Sequence, residues 1–64
     1  MATKFNKSEQ KLLARATLGD IVNQVGIFQR QCARAGYIDV GEAHGLLIFV
    51  VQQVRIALKA LRRA

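Results

Sequence analysis

Apolar residues recur along this chain at alternating intervals of four and three. Ala14, Leu18, Ile21, Val25, Phe28, Cys32 and Ala35 form one such series, and Ala43, Leu47, Val50, Val54, Ala57, Leu61 and Ala64 form another. Two unbroken heptad seams are the signature of helices that pack side by side. The helix punctuation agrees. Asn6, with Glu9 three residues on, has the spacing of a capping box: the Asn side chain accepts from one orphan backbone N–H and the acid reaches back to another. Ser8 competes as the cap. Gly36 stands where a helix end needs a positive φ, and Arg30 and Arg34 complement the dipole of the turns before it. Asp39 opens a second helix, with Glu42 again three residues on, and Lys59, Arg62 and Arg63 suit its C-terminus. The pattern predicts helix one over about 7–35, a turn at 36–39 and helix two over about 40–63.

The turn is short, so the two helices must be antiparallel neighbours. The expected fold is all-α: one helical-hairpin domain over 1–64 with heptad packing, dimerising into a four-helix bundle. At ~25 residues per helix the hairpin is roughly 40 Å long. Gly36 argues against a swapped dimer in which the turn opens into one long helix.

The seams leave apolar residues over. Leu46, Ile48, Phe49, Val51, Ile56 and Leu58 lie off the seam of helix two, and Leu12, Leu13, Val22 and Ile27 off that of helix one. A helix that is apolar nearly all round is buried on more than one side. Gly19, Gly26 and Ala33 recur at intervals of seven. Mid-helix glycine costs about 1 kcal/mol relative to alanine, which a closely approaching helix offsets; the alternative is that these glycines are merely tolerated. The leftover surface has three destinations: a second copy of the chain, a groove on another protein, or a membrane surface. The second copy is the first expectation. Gly19, Val22, Gly26, Ile27, Ile48, Phe49, Val51 and Ile56 are the candidate protein-interface residues. The greasiest run, Gly45 to Val51, ends at seven residues before Gln52, Gln53 and Arg55, whereas a bilayer span needs roughly 20. No integral membrane insertion is expected. The basic N-terminus has no apolar h-region, and the expected location is cytoplasmic, with Cys32 a reduced thiol.

Composition sharpens this picture. Sixty-four residues, 52% of them apolar, make one folding domain that is marginal without a staple or partner. One cysteine excludes an internal disulfide framework, and no proline with only four aromatics disfavours a β-sandwich or barrel. Ten Lys and Arg against four acids give a net charge of +6. An antiparallel hairpin gathers Lys4, Lys7, Lys11, Arg15, Arg55, Lys59, Arg62 and Arg63 at its open end, opposed there by Glu9. The turn end, with Asp39 and Glu42 beside Arg30 and Arg34, is near neutral. The basic end suits phosphates; the alternative is a solvated face that keeps a greasy protein soluble. There is no helix-turn-helix spacing across Gly36, no zinc-ligand set and no RNA-binding aromatic motif. Binding is therefore expected to the backbone or to a structured RNA shape.

Catalytic chemistry is not expected. His44 and Glu42 stand two residues apart, the wrong spacing for one helix face. Cys32 reads as a small core hydrophobe, a metal needs ligands from several chains, and Gly41 and Gly45 are isolated rather than parts of a phosphate loop. The chain's one serine, Ser8, has no base at a plausible spacing. No cofactor, metal or catalytic residue is assigned. His44 reads as a polar residue at the core edge, or as an interface residue whose protonation matters. Tyr37 reads as an exposed cap over the turn or as an anchor for a partner.

Length, hairpin and expected dimer are similar in architecture to the Rop family of plasmid RNA-binding regulators, in which two hairpins form a four-helix bundle that grips paired RNA loops. Small plasmid and phage regulators also include hairpins that bind and block a host protein such as a transcriptional activator. Two functions follow as expectations: a regulatory nucleic-acid-binding homodimer using the basic end, or a protein inhibitor or adaptor using the apolar helix faces. A structural subunit of a larger helical assembly is a third.

Overall fold

The computed structural model describes residues 5–64, so Lys4 of the expected basic end lies outside the described residues. The chain forms two helices that pack against each other, α1 (Lys7–Ala35) and α2 (Val40–Arg63). They make a rod of 47 × 18 × 16 Å. The long dimension is set by α1 itself, because 29 residues rising ~1.5 Å each reach about 44 Å.

The helix ends are built as the sequence implies. Asn6 is extended, and its side-chain oxygen accepts from the Glu9 N–H at 2.8 Å while Glu9 Oε1 accepts from the Asn6 N–H at 3.2 Å. This reciprocal box decides the start, and Ser8 falls inside the helix. Gly36 takes φ 79° and donates its N–H to the Cys32 carbonyl at 2.8 Å. A Cβ is strained in that left-handed conformation, so glycine is what lets the chain leave α1 sharply. Asp39 caps α2 by accepting from the Glu42 N–H at 3.0 Å. With so short a link between the helices, α2 has only one way to run: back along α1.

The contact between the helices is only in part the one the heptads suggest. Ala14 and Ala57 are buried, and Ile21, Val25, Phe28, Cys32, Ala43, Val50 and Ala64 are half-buried, as the two seams require. Leu18, Leu47, Val54 and Leu61, all expected in the seams, are instead 52%, 63%, 40% and 52% exposed, and Ala35 is exposed as well. Thr17, Leu46, Gln53 and Ala60 take the inward positions. On α2 the heptad is kept but every second seam position moves to its neighbour, whereas on α1 the seam holds at Val25 and Cys32 and only Leu18 gives way, to Thr17. Toward the open end the physical reason is size. Gln10, Ala14 and Thr17 on α1 and Ala57 and Ala60 on α2 are the buried residues among those described, and Thr17 and Ala60 allow a closer approach of the axes than Leu18 and Leu61 would; the exchange of Leu47 for Leu46 and of Val54 for Gln53 follows from the orientation set there. Thr17 is tolerated there because its hydroxyl donates to the Leu13 carbonyl at 2.8 Å, within its own helix.

The hairpin therefore buries alanines and exposes leucines and valines. By length and composition alone α2 is also long and apolar enough to cross a bilayer. The uninterrupted run from Gly45 to Val51 understates this, because Gln52 and Gln53 are polar without being charged.

Two stability changes follow. Gly36→Ala is expected to destabilise the chain by about 1 kcal/mol, the strain of a left-handed residue with a Cβ, read as a lower midpoint in thermal unfolding by circular dichroism. Ala60→Leu is expected to cost about 1–3 kcal/mol by overpacking the seam, whereas the same exchange at exposed Ala16 leaves the midpoint nearly unchanged.

Candidate functional site

Two surface features stand out, and both follow from the hairpin. The first is the basic end. Reversal of the chain at Gly36 returns the last turns of α2 to the first turns of α1. Lys7, Lys11, Arg15, Arg55, Lys59, Arg62 and Arg63 are all exposed there. None of the side-chain hydrogen bonds among the described residues involves a Lys or Arg. Glu9, the acid at this end, is engaged with the Asn6 backbone. Lys7, Lys11 and Arg15 are spaced by four, and Arg55, Lys59 and Arg62 by four and three, so each trio lies on one helix face. Arg62 and Arg63 also neutralise the negative pole of α2, in whose last turn they lie.

The second feature is an apolar face. On α2, Val40, Leu47, Val51, Val54, Leu58 and Leu61 are exposed, and exposed His44 completes their spacing to an unbroken alternation of four and three. They form a second heptad stripe, offset around the helix from the one that meets α1. On α1, exposed Leu18 and Val22 lead to half-buried Val25 along the corresponding stripe, which continues toward the open end as Arg15 and Lys11. In an antiparallel pair of right-handed helices, stripes offset in the same rotational sense from the contact fall on the same side. The two stripes thus make one face. The opposite side supports the assignment: its groove, of ≈ 340 Å³, is lined by Gln24, Ile27 and Gln31 of α1 together with Glu42, Leu46 and Phe49 of α2. Gln24, Ile27, Gln31, Glu42 and Phe49 are offset in the other sense, while Leu46, and Phe28 which also lines the groove, stand at the contact.

The candidate interface residues are divided among these surfaces. Val22 and Val51 belong to the apolar face. Ile27 and Phe49 line the groove, and Ile56 lies one heptad along from Phe49. Ile48 is on the outer surface of α2. Gly19 and Gly26 face away from α2: no atom lies within 4 Å of a Cβ built on Gly19, and the contact at Gly26 is with Arg30 Nη1 at 3.6 Å. The glycine stripe is therefore not where α2 approaches. The residues missing from the expected interface are Leu18, Leu47, Val54 and Leu61, which the heptad pattern places between the helices. The signal for Leu18 and Leu61 is in Thr17 and Ala60, smaller residues at competing heptad positions.

At the turn, a cavity of ≈ 200 Å³ brings Cys32 and Tyr37 near Asp39 and Glu42. Asp39 is occupied as the α2 cap, Cys32 is half-buried, and Tyr37 and His44 are exposed. Among the described residues no group of three or more His, Cys, Asp or Glu is placed to hold a metal ion. No known protein family, curated protein or solved structure matches this chain, so its function is argued from its own surfaces.

Proposed function

We propose that this chain is a small, non-enzymatic regulatory protein of the cytoplasm that works as a homodimer and binds the phosphate backbone of RNA or DNA through its basic open end. The observation that carries this reading is the convergence of seven exposed cations from both helices on one end of the rod, with one acid among them. A surface of that kind attracts polyanions and is read by phosphates rather than by bases. Its cations stand in rows along two helices rather than around a concave pocket, which suits an extended backbone better than a small anion.

A second reading, a protein-binding inhibitor or adaptor, is favoured by the groove in which Ile27 and Phe49 stand half-buried. An apolar helix of a host protein is the partner such a groove fits. Membrane insertion of α2 forms no part of either reading, because Arg55 and Lys59 lie inside its apolar stretch.

Binding of the full chain to mixed cellular RNA and DNA across a salt series tests the first reading. Affinity is expected to fall steeply between about 50 and 200 mM salt, as counterion release requires. The combined change Arg55→Gln, Lys59→Gln and Arg62→Gln is expected to lower the log–log salt slope by about 0.9 for each phosphate that is no longer neutralised, with the helical circular dichroism unchanged. A triple variant that binds like the native chain overturns the proposal. Absence of binding at the lowest salt overturns it too and turns attention to the groove.

A further inference from the structure

The heptad stripe that the hairpin leaves unused is complete, and its symmetry, its charge environment and its area each bear on what covers it. The stripe on α2 is nearly palindromic about Val51. Leu47 and Val54 stand at four and three residues from it, His44 and Leu58 at seven, and Val40 and Leu61 at eleven and ten. An antiparallel copy of α2 meets it layer for layer. The hairpin register carries the same centre to α1. Counting outward from the turn sets buried Thr17 level with Ala57 and Ala14 level with Ala60. The level of Val51 then falls between Val22 and Val25, the apolar stretch of the α1 stripe. One two-fold axis therefore serves both helices, which is what a self-complementary interface demands.

Charge chooses the direction. A two-fold axis along the rod would set both basic ends side by side, within a Debye length of about 8–10 Å. An axis across the rod lays the cationic open end of each copy over the near-neutral turn end of the other, where Asp39 and Glu42 offset Arg30 and Arg34. Area agrees. The chain exposes 5335 Å², against about 4,100 Å² for a compact monomer of its mass. The excess, on the order of 1,200 Å² per chain and shared by all sides of the rod, leaves room for an interface of standard size, about 1,200–2,000 Å² in total.

We infer that a second copy of this chain covers this face in antiparallel fashion, α1 on α1 and α2 on α2, with Val51 on the two-fold axis. The inference deepens the homodimer of the proposed function and rests on that part of it. It separates the cations into two sets. Lys11 and Arg15 fall on the covered stripe with Lys7 beside it, while Arg55, Lys59 and Arg62 lie one position around α2 from its stripe, at opposite ends of the four-helix bundle, free for phosphate.

Sedimentation equilibrium of the full chain at micromolar concentration is expected to give twice the 7.1 kDa of one chain. Val51→Cys in a Cys32→Ser background is expected to form an intermolecular disulfide on mild oxidation, since two residues on a two-fold axis bring their Cβ atoms toward the ~3.5–4.5 Å a disulfide needs. Ile48→Cys, on the outer surface, is expected to stay reduced. A helical chain that sediments at single mass overturns the inference, as does a single-mass chain that floats with phosphatidylglycerol vesicles, which makes lipid the occupant. A dimer in which Val51→Cys fails to cross-link overturns the antiparallel arrangement. None of these measurements uses nucleic acid, so failure of the phosphate-binding proposal leaves them unaffected, and the reverse.

Discussion

The contact among Ala14, Thr17, Ala57 and Ala60 governs the rest of the molecule. These side chains are small enough for the two helix axes to come close, and once they do, the orientation of both helices is set. Every larger apolar residue must then find a place beside this contact or away from it. Phe28, Leu46, Phe49 and Val50 find partial cover toward the turn. Leu18, Leu47, Val51, Val54, Leu58 and Leu61 do not. At roughly 25 cal/mol per Å² buried, a seam of alanines contributes much less than one of leucines. The hairpin thus leaves its larger apolar surface outside its own fold.

The basic end arises from the same reversal of the chain. The positive pole of α1 and the negative pole of α2 lie side by side at the open end, so the two helix dipoles oppose each other there. What remains is the field of the side chains, and that is positive. The turn does the converse: it collects Asp39 and Glu42 as capping acids for α2 close to Arg30 and Arg34 of α1. A rod that is cationic at one end and balanced at the other has a polarity along its axis. The apolar face runs the length of that axis, so association and charge are coupled: any partner lying along the face meets one charge environment at each end.

The groove on the opposite side differs in kind. Gln24, Gln31 and Glu42 place polar groups around Ile27 and Phe49, whereas the stripe on the other side has His44 as the polar position within α2. The two sides of one thin layer therefore differ in chemistry: one mixes polar and apolar groups, the other is a nearly continuous apolar stripe.

Much of the fold was legible in the chain itself. Asn6 with Glu9, Gly36, and Asp39 mark the helix ends because capping is a local matter of backbone N–H groups and one side chain, settled within a few residues. The antiparallel pairing followed from the shortness of the turn, and the gathering of Lys7, Lys11 and Arg15 with Arg55, Lys59, Arg62 and Arg63 followed from that pairing. The face by which each helix meets the other was legible in part: Ala14, Ile21, Val25, Phe28 and Cys32 on α1 and Ala43, Val50, Ala57 and Ala64 on α2 are covered as the heptads require, whereas Leu18, Leu47, Val54 and Leu61 are not. Along α2, Ala43, Val50, Ala57 and Ala64 belong to two heptads at once, one completed by Leu47, Val54 and Leu61 and the other by Leu46, Gln53 and Ala60. Periodicity is the same for both, and hydrophobicity favours the first. Only the packed pair decides between them, because the distance of closest approach depends on both surfaces together, and alanine against alanine and threonine allows an approach that leucine forbids.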